Sequence, residues 1–479
     1  MRPGSLSPSP YIQKLRPGLG AAQPVAPGMD SAEERRWQSD ANNGLRRIGV
    51  SLIVIYLFVR FSLISEILTF GFGFKPYLII VIGPTTLLAA LLSGGLRRAF
   101  RERPAWYMAG FMLWLLIVVP FSSWKGGSVG MLVPAFETEF TMFVLTAGLL
   151  FTLGDFARTS TAIVFGGLVT IIASRFYGVT EYGRFGLSFG SLANANDFAT
   201  HLLLVVPFAL MVLYRKASLA IRAVAIITFL GASLIIFQTG SRSGLLSLCL
   251  MSCFVLVKAR GGVRVGMIAG LFVVGAVAAF TVPATTLHRY FTLFRSGGET
   301  SIDEAKSLEM AAGSGLQRKE LLIDSIVLTI NNPVFGVGPG QFAVQDAVRA
   351  HALGVAGKWL LTHNTYTEVS SETGFPGLIL FVCTLASTFN SVRKVYNQSR
   401  RFPDLTEISG SALFLMMALA VFYVSIFFAA MSYKYYTPTM VGVVVSFVAA
   451  ARHKIGRRVL EIQPAAMNTY RFRQPALSR

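Results

Sequence analysis

Runs of about twenty apolar residues recur along this chain and constrain its fold more than any other feature. A helix that crosses the hydrocarbon core of a bilayer needs ~20 predominantly apolar residues, so each run predicts a membrane span. The predicted spans lie at residues 47–68, 76–93, 104–121, 136–154, 159–177, 193–214, 219–237, 242–258, 263–282, 374–391, 409–430 and 436–452. The predicted fold is all-α: a polytopic membrane protein with about twelve transmembrane helices.

The charges support this interpretation and limit the kinds of partner. Charged residues make up 14% of the 479 residues, whereas soluble domains usually have about 25%. A formal net charge of +20 would suggest nucleic-acid binding in a soluble protein. Here Lys and Arg collect in alternate loops instead, as they do in loops that stay in the cytoplasm. We therefore expect contact with membrane lipids, no nucleic-acid partner, and both termini in the cytoplasm.

This topology divides the chain into segments. Residues 1–46 are rich in Pro, Ser and Gly and lack the apolar run of a signal peptide, so we expect a disordered cytoplasmic tail. The transmembrane bundle covers residues 47–452, and residues 453–479 form a second cytoplasmic tail. Between the ninth and tenth spans, residues 283–373 are too polar to cross the membrane and too long for a simple connection. They predict an outer, periplasmic loop inserted in the bundle, partly helical because residues 302–330 are amphipathic.

The end of this loop carries the most informative stretch of the chain, LTHNTYTEVSSETGFPGLILF at 361–381. His363 lies where a wet loop meets the next span, and a neutral imidazole there could accept the proton of an attacking sugar hydroxyl. An isolated histidine is also often structural. The run from Gly374 to Gly377 predicts a bend that begins the tenth span. Upstream, the glycine turn at 336–342 could bring backbone N–H groups close to a ligand.

Two arginines lie on the outer side, where topology gives no reason for basic residues. Arg184 precedes a helix start rich in Asn and Asp, and it either lies among lipid headgroups or clamps an anion. Arg242 lies among Gly and Ser, which either form a simple turn or let an anion approach closely. A guanidinium suits a diphosphate because its planar fork donates two hydrogen bonds and stays charged. Together with His363, these arginines are what sugar transfer from a lipid-linked diphosphate needs.

Four stretches resemble the O-antigen ligase and O-antigen polymerase family, which includes exopolysaccharide polymerases. They read RFGLSFGSLANANDFA, GSRSGLLSL, QRKELLIDSIVLTINNPVFGVGPGQF and HNTYTEVSSETGFPGL, within residues 180–385. The resemblance implies a metal-independent, inverting glycosyltransferase without cofactors, multi-pass in the bacterial inner membrane, with a periplasmic active site. It implies that Arg184 and Arg242 bind the diphosphate of an undecaprenyl-diphosphate-linked glycan and that His363 is the catalytic base. The chain departs from the family at Asn194-Ala195-Asn196, where relatives often have Asn-Pro-Asn.

The acceptor and the supporting residues are less constrained. In this family a ligase uses lipid A-core as acceptor and a polymerase uses a growing polysaccharide, and the sequence does not separate the two. The possible supporting residues are Asn364, Glu372 and Arg318.

Other charged residues leave alternatives open. Glu137 and Glu139 could imitate an acidic metal motif, or they could be solvated at the interface. Arg60 and Glu66 lie in or near the first span, where a charge is costly unless it functions or pairs.

A transporter or flippase for lipid-linked sugars or polysaccharide, without transferase activity, is the alternative function. It would share the spans and the lipid-binding arginines, but it predicts charges near the bilayer midplane and inverted repeats. The informative residues gather at one membrane face instead, which favours an enzyme.

Overall fold

The computed structural model describes most of the chain as two compact units. The described residues are 31–181, 183–258, 261–282, 286, 290 and 302–471. Residues 38–452 form the larger unit, and the two chain ends form the smaller one. The first thirty residues of the predicted tail, most of residues 283–301 of the predicted outer loop, and residues 472–479 lie outside the described residues.

Helices make up nearly all of the described residues. They are α1 (Ser31–Asn42), α2 (Gly44–Ser62), α3 (Ile64–Phe72), α4 (Leu78–Leu92), α5 (Gly95–Ala99), α6 (Arg103–Val118), α7 (Lys125–Pro134), α8 (Thr141–Leu149), α9 (Leu153–Tyr177), α10 (Ala195–Tyr214), α11 (Leu219–Gln238), α12 (Arg242–Lys258), α13 (Gly262–Thr281), α14 (Ile302–Asn331), α15 (Phe342–Ala352), α16 (Thr365–Ser399), α17 (Thr406–Ser425) and α18 (Tyr436–Arg471). A π-helical turn, Ala135–Phe140, joins α7 to α8.

The described helices support a multi-pass membrane protein but do not fix its number of spans. By length and composition, 8 of them could cross a membrane, or up to 9 if α2 and α3, which meet at a 52° bend, form one span. Three shorter apolar helices, Leu78–Leu92, Arg242–Val257 and Arg264–Ala278, lie at three further predicted spans. The count of twelve therefore remains a prediction.

The described ends of the chain are helical. In the smaller unit, the Trp37 ring stacks on the His453 ring with their centroids 4.0 Å apart. Nε2 of His453 also lies 2.9 Å from the Glu34 carboxylate. These contacts help to hold a polar segment in a helix that buries little apolar surface of its own. Residues 31–42 are thus ordered as α1, whereas the sequence predicts disorder over 1–46.

One short hairpin interrupts the all-α pattern of the described residues. Strands β1 (Gly178–Glu181) and β2 (Arg184–Leu187) pair antiparallel, with Glu181 opposite Arg184. Gly183 in the turn has φ of 69°, a conformation that glycine adopts without strain. The hairpin follows directly on α9 and fixes Arg184 at the end of that helix.

Helix α10 lies at the centre of the larger unit. Of its most apolar 18-residue window, 83% is buried, against 33–72% for the other long apolar helices described. It packs against α9, α11, α12 and α17. Because so many neighbours fix its axis, the residues at its N-terminus are held in place.

The predicted bend before the tenth span is present. Gly374 has φ of 71° and ψ of −176°, so α16 consists of two helical segments joined at a kink. A Cβ at this position would lie 2.2 Å from the carbonyl oxygen of Val334, so only glycine fits. The backbone N–H of Phe375 donates to the carbonyl of Pro333 at 2.8 Å. The first segment, residues 365–373, is thereby directed toward α14 and α15.

Candidate functional site

The first segment of α16 begins at a side-chain cap next to His363. The Asn364 Oδ1 accepts hydrogen bonds from the backbone N–H groups of Tyr366 at 2.9 Å and Thr367 at 3.2 Å. Such a cap satisfies donors that the first helical turn otherwise leaves unpaired. Asn364 therefore fixes the start of the helix directly after His363.

Two carboxylates on this segment fix separate parts of the chain. Glu372 is 1% exposed and accepts hydrogen bonds from the Gly340 and Phe342 N–H groups at 2.8 and 3.1 Å. It also accepts one from the Tyr433 hydroxyl at 2.6 Å. Glu368, one helical turn earlier, accepts from the Ser432 backbone N–H at 3.2 Å. Because residues four apart lie on one face of a helix, these two carboxylates tie α16 to the glycine turn and to the loop before α18.

Tyr433 remains a hydrogen-bond donor under all ordinary conditions. Burial, and then the nearby charges of Glu372 and Glu368, raise the pKa of the Tyr433 phenol well above its usual value. A phenol that stays protonated can donate to Glu372 without interruption. The tyrosine therefore stabilises the carboxylate that supports the glycine turn.

The glycine turn at 336–342 has a structural role. This corrects the prediction that its backbone N–H groups approach a ligand. The N–H groups of Val337 and Gly338 donate to the carbonyls of Ser371 and Glu372 at 2.8 and 2.9 Å. The N–H groups of Gly340 and Phe342 are bound by the Glu372 side chain. Because these donors have partners within the protein, they are not available to a ligand.

His363 combines an unusual backbone with an accessible ring. Its φ is 51°, a left-handed conformation that is uncommon for a residue with a side chain and that concentrates at functional sites. The ring is partly exposed and forms no hydrogen bond or ion pair with the described residues. Burial lowers the pKa of His363, and the positive charges of Arg318 and Arg184 lower it further. The imidazole is therefore neutral at pH 7 and able to accept a proton.

Arg184 is fixed where two helices begin. Its Nη2 donates to Asn196 Oδ1 at 2.8 Å, and the Ser241 hydroxyl donates to the same oxygen at 2.8 Å. Asn194 caps α10 by accepting from the Asn196 N–H, and Ser241 caps α12 by accepting from the Gly244 N–H. The N-termini of α10 and α12 thus meet at Asn196. Since helix N-termini carry partial positive charge, this junction attracts anions.

Arg242 and Arg318 extend the positive charge toward His363. Arg242 is the first residue of α12, and Arg318 lies on α14. Burial lowers the pKa of Arg318, and the charge of Arg242 lowers it further. Arg318 in turn acts on His363, as Arg184 does. The structure therefore brings the predicted base, both predicted diphosphate-binding arginines and the supporting Arg318 into one electrostatic neighbourhood.

The loop before α18 contributes residues that the sequence analysis did not single out for the site. Lys434 is exposed and interacts electrostatically with Asp197, which also interacts with Arg184. Ser432 and Tyr433 bind the two glutamates of α16. The sequence offered only one signal here, a basic residue on the outer side at Lys434, because no local pattern shows which distant helix a loop will contact.

Three of the other charged candidates, Arg60, Glu66 and Glu139, have structural partners. Arg60 Nη2 lies 2.7 Å from the Glu139 carboxylate, and its guanidinium lies over the Tyr435 ring at 4.5 Å. Glu66 accepts from the N–H and hydroxyl of Ser191 at 2.9 and 2.7 Å, which supports the loop leading to α10. Among the residues that the structure describes, no group of three or more His, Cys, Asp or Glu could hold a metal ion.

The comparison with known families agrees with the resemblance in the sequence. Residues 225–382 match a family model described as O-Antigen ligase. This segment contains Arg242, Arg318 and His363, while Arg184 and Asn196 precede it. No curated protein is significantly similar to the chain. The family match and the long apolar helices together indicate a multi-pass membrane protein.

Proposed function

Because residues 225–382 match the O-antigen ligase family, we propose that this protein is a membrane glycosyltransferase of polysaccharide assembly. It transfers a glycan from an undecaprenyl-diphosphate carrier to an acceptor hydroxyl at the periplasmic face of the bacterial inner membrane. The acceptor is lipid A-core or a growing polysaccharide. Both termini lie in the cytoplasm, as the basic loops at the opposite end of the helices favour.

The observation that carries this proposal is a neutral histidine beside a group of arginines. An excess of positive charge in one place is unfavourable by itself, and a bound diphosphate relieves it. Burial lowers the pKa of His363, and two of these charges, Arg318 and Arg184, lower it further, so the base is ready when the donor substrate arrives. The same group of residues thus binds the leaving diphosphate and keeps the base ready for the acceptor's proton.

In the proposed reaction, the acceptor oxygen attacks the anomeric carbon of the carrier-linked sugar. As the new C–O bond forms, the bond from that carbon to the diphosphate oxygen breaks, and the configuration inverts. His363 takes the proton of the acceptor hydroxyl. Undecaprenyl diphosphate leaves with the electron pair of the broken bond.

The arginines favour the transition state more than the bound substrate. Negative charge on the leaving oxygen grows as the bond breaks, so donors fixed in advance around it lower the barrier. Arg184 is fixed by Asn196, and Arg242 lies in the first turn of a capped helix. Arg318 completes the positive charge near the base. The Arg184 side chain therefore does not have to reorganise far when charge develops.

The test is acceptor-dependent release of polyprenyl diphosphate by the purified protein in detergent. His363→Ala should reduce the rate by about 10²- to 10⁴-fold, the usual contribution of a general base. Arg242→Ala should reduce it to a comparable extent, since removing one fixed donor costs about 10²- to 10³-fold. His351→Ala is the matched control, an exposed histidine of the same outer segment, and it should keep full activity. Metal independence predicts that EDTA leaves the wild-type rate unchanged.

Two outcomes would contradict the proposal. Full activity of His363→Ala would remove the histidine from the mechanism. Absence of transfer with every acceptor tried, together with movement of the lipid-linked glycan across vesicle membranes, would favour the transporter instead.

A further inference from the structure

A groove lies on the larger unit far from the candidate site. It has a volume of about 570 Å³, and its walls come from α2, α9 and the start of α11. The wall residues are mostly apolar and include Ile55, Phe58, Ala162 and Phe165. A volume of this order is within the range of small-molecule binding clefts.

Two arginines lie at one end of this groove. Arg158 is near the start of α9, and Phe165 lies seven residues later, about 10 Å along the helix axis at ~1.5 Å per residue. Arg215 follows the last residue of α10, and its guanidinium donates to the Ala157 carbonyl at 2.6 Å and to the Thr161 hydroxyl. The groove is therefore charged at one end and apolar along its length.

The charged end has the capacity to bind an anion. Arg158 is exposed and makes no hydrogen bond or ion pair with any residue that the structure describes. Glu407 is the one acidic residue that acts electrostatically on Arg215. The positive charge at this end exceeds the negative charge, so a phosphate with a net negative charge is favoured over a zwitterion.

We infer that this groove binds an anionic glycerophospholipid, with one acyl chain between α2 and α9 and the phosphate at Arg158 and Arg215. The apolar walls fit a hydrocarbon chain, and the two guanidiniums fit a phosphate. A polyprenyl phosphate shares this chemistry. However, Arg158 lies near the start of α9, whereas Arg184 follows Tyr177 at its end, and Arg158 and Tyr177 are about 28 Å apart along the helix axis at ~1.5 Å per residue. The groove is thus separate from the proposed donor site and does not depend on the proposed transfer.

The test measures lipid binding to the full-length protein by native mass spectrometry in detergent. Phosphatidylglycerol and phosphatidylcholine with identical acyl chains should differ about fivefold in affinity, since one basic residue contributes about 1 kcal/mol near an anionic lipid. Arg158→Gln should bring phosphatidylglycerol to the affinity of phosphatidylcholine. Arg222→Gln is the matched control, an exposed arginine at the same end outside the groove wall, and it should bind like wild type. Ile55→Trp, which narrows the groove, should weaken both lipids.

Several results would overturn the inference. Equal affinity of the wild type for the two lipids would exclude headgroup selection. Equal losses in Arg158→Gln and Arg222→Gln would show general attraction to the basic surface. Unchanged binding in Ile55→Trp would show that no chain enters the groove. Stronger binding of undecaprenyl phosphate than of phosphatidylglycerol would assign the groove to the carrier.

Discussion

At the scale of single residues, His363 has the properties of a base that is prepared in advance. Its ring is partly exposed, its backbone is held in the left-handed region, and its next neighbour, Asn364, caps a helix. Burial lowers the pKa of His363, and Arg318 and Arg184 lower it further; Arg184 is also proposed to bind the diphosphate. A change in one of these arginines should therefore appear in the pH dependence of the reaction.

This coupling predicts the direction of a pH shift. The active base is the neutral imidazole, so kcat/KM should fall as pH drops through the pKa of His363, which lies below the usual 6.5. Arg318→Gln removes a positive charge near the ring, so the pKa should rise and the acid limb should move to higher pH. The measurement is kcat/KM for polyprenyl diphosphate release across pH, because this quantity reports the free enzyme.

The control for this prediction lies one residue away. Lys319→Gln removes an exposed charge from the same helix and should leave the acid limb in place. An acid limb that stays fixed in Arg318→Gln, or that moves to lower pH, would contradict the electrostatic link between Arg318 and His363.

At the scale of helices and turns, the kink at Gly374 is what places the first segment of α16. Residues 365–373 contact the glycine turn on one side and the loop before α18 on the other. The segment makes these contacts only if it leaves the axis of the following span. Both the positive φ of Gly374 and the closeness of Val334 require a residue without a side chain.

Gly374→Ala should therefore be more destabilising than alanine at another glycine with positive φ. We expect a loss of ~3 kcal/mol, of which about 1 arises from the backbone conformation and the rest from overlap with the Val334 carbonyl. Gly354 has φ of 73° and open space around the position of a Cβ, so Gly354→Ala should lose only about 1 kcal/mol from its backbone conformation. Chemical denaturation in micelles, followed by helical circular dichroism, measures the difference. Equal losses of stability in the two variants would show that overlap with the Val334 carbonyl does not contribute to the loss in Gly374→Ala.

Local sequence patterns predict some of these elements and not others. The bend at Gly374 could be predicted because glycine and proline act on their own backbone. The hairpin that holds Arg184 could not, because its strands are four residues each and carry no alternating pattern. The prediction that the glycine turn contacts a ligand was wrong for a different reason. Its N–H groups are bound by Glu372, and the sequence does not show that these two segments meet.

At the scale of the whole larger unit, charges at the two ends of the helices are arranged differently. Near the start of α9, buried arginines are paired: Arg46 lies 2.7 Å from Asp155, and Arg98 donates to the Gly148 carbonyl at 2.7 Å. Beyond the end of α9, the positive charges gather around His363. The buried arginines near the start of α9 are therefore held in stabilising contacts, whereas the partly buried positive charges around His363 favour a bound anion.

The proposed orientation can be tested by labelling cysteines from one side of the membrane. In a background with Cys249, Cys253 and Cys383 replaced by alanine, Leu353→Cys and Arg401→Cys place exposed thiols beyond opposite ends of α16. An impermeant maleimide added to intact spheroplasts should label position 353 and not position 401. Both positions should react after permeabilisation. Labelling of position 401 alone in intact spheroplasts would place the candidate site in the cytoplasm.

The contacts of Glu368 and Glu372 also determine at what point in synthesis the candidate site can reach its final structure. The loop that binds these carboxylates, with Ser432 and Tyr433, leaves the ribosome after every arginine of the site and after His363. The segment that carries the base therefore cannot be locked until α17 has been inserted and the chain has reached the last helix. Nascent or truncated chains that end before this loop therefore lack the contacts that fix the segment next to His363.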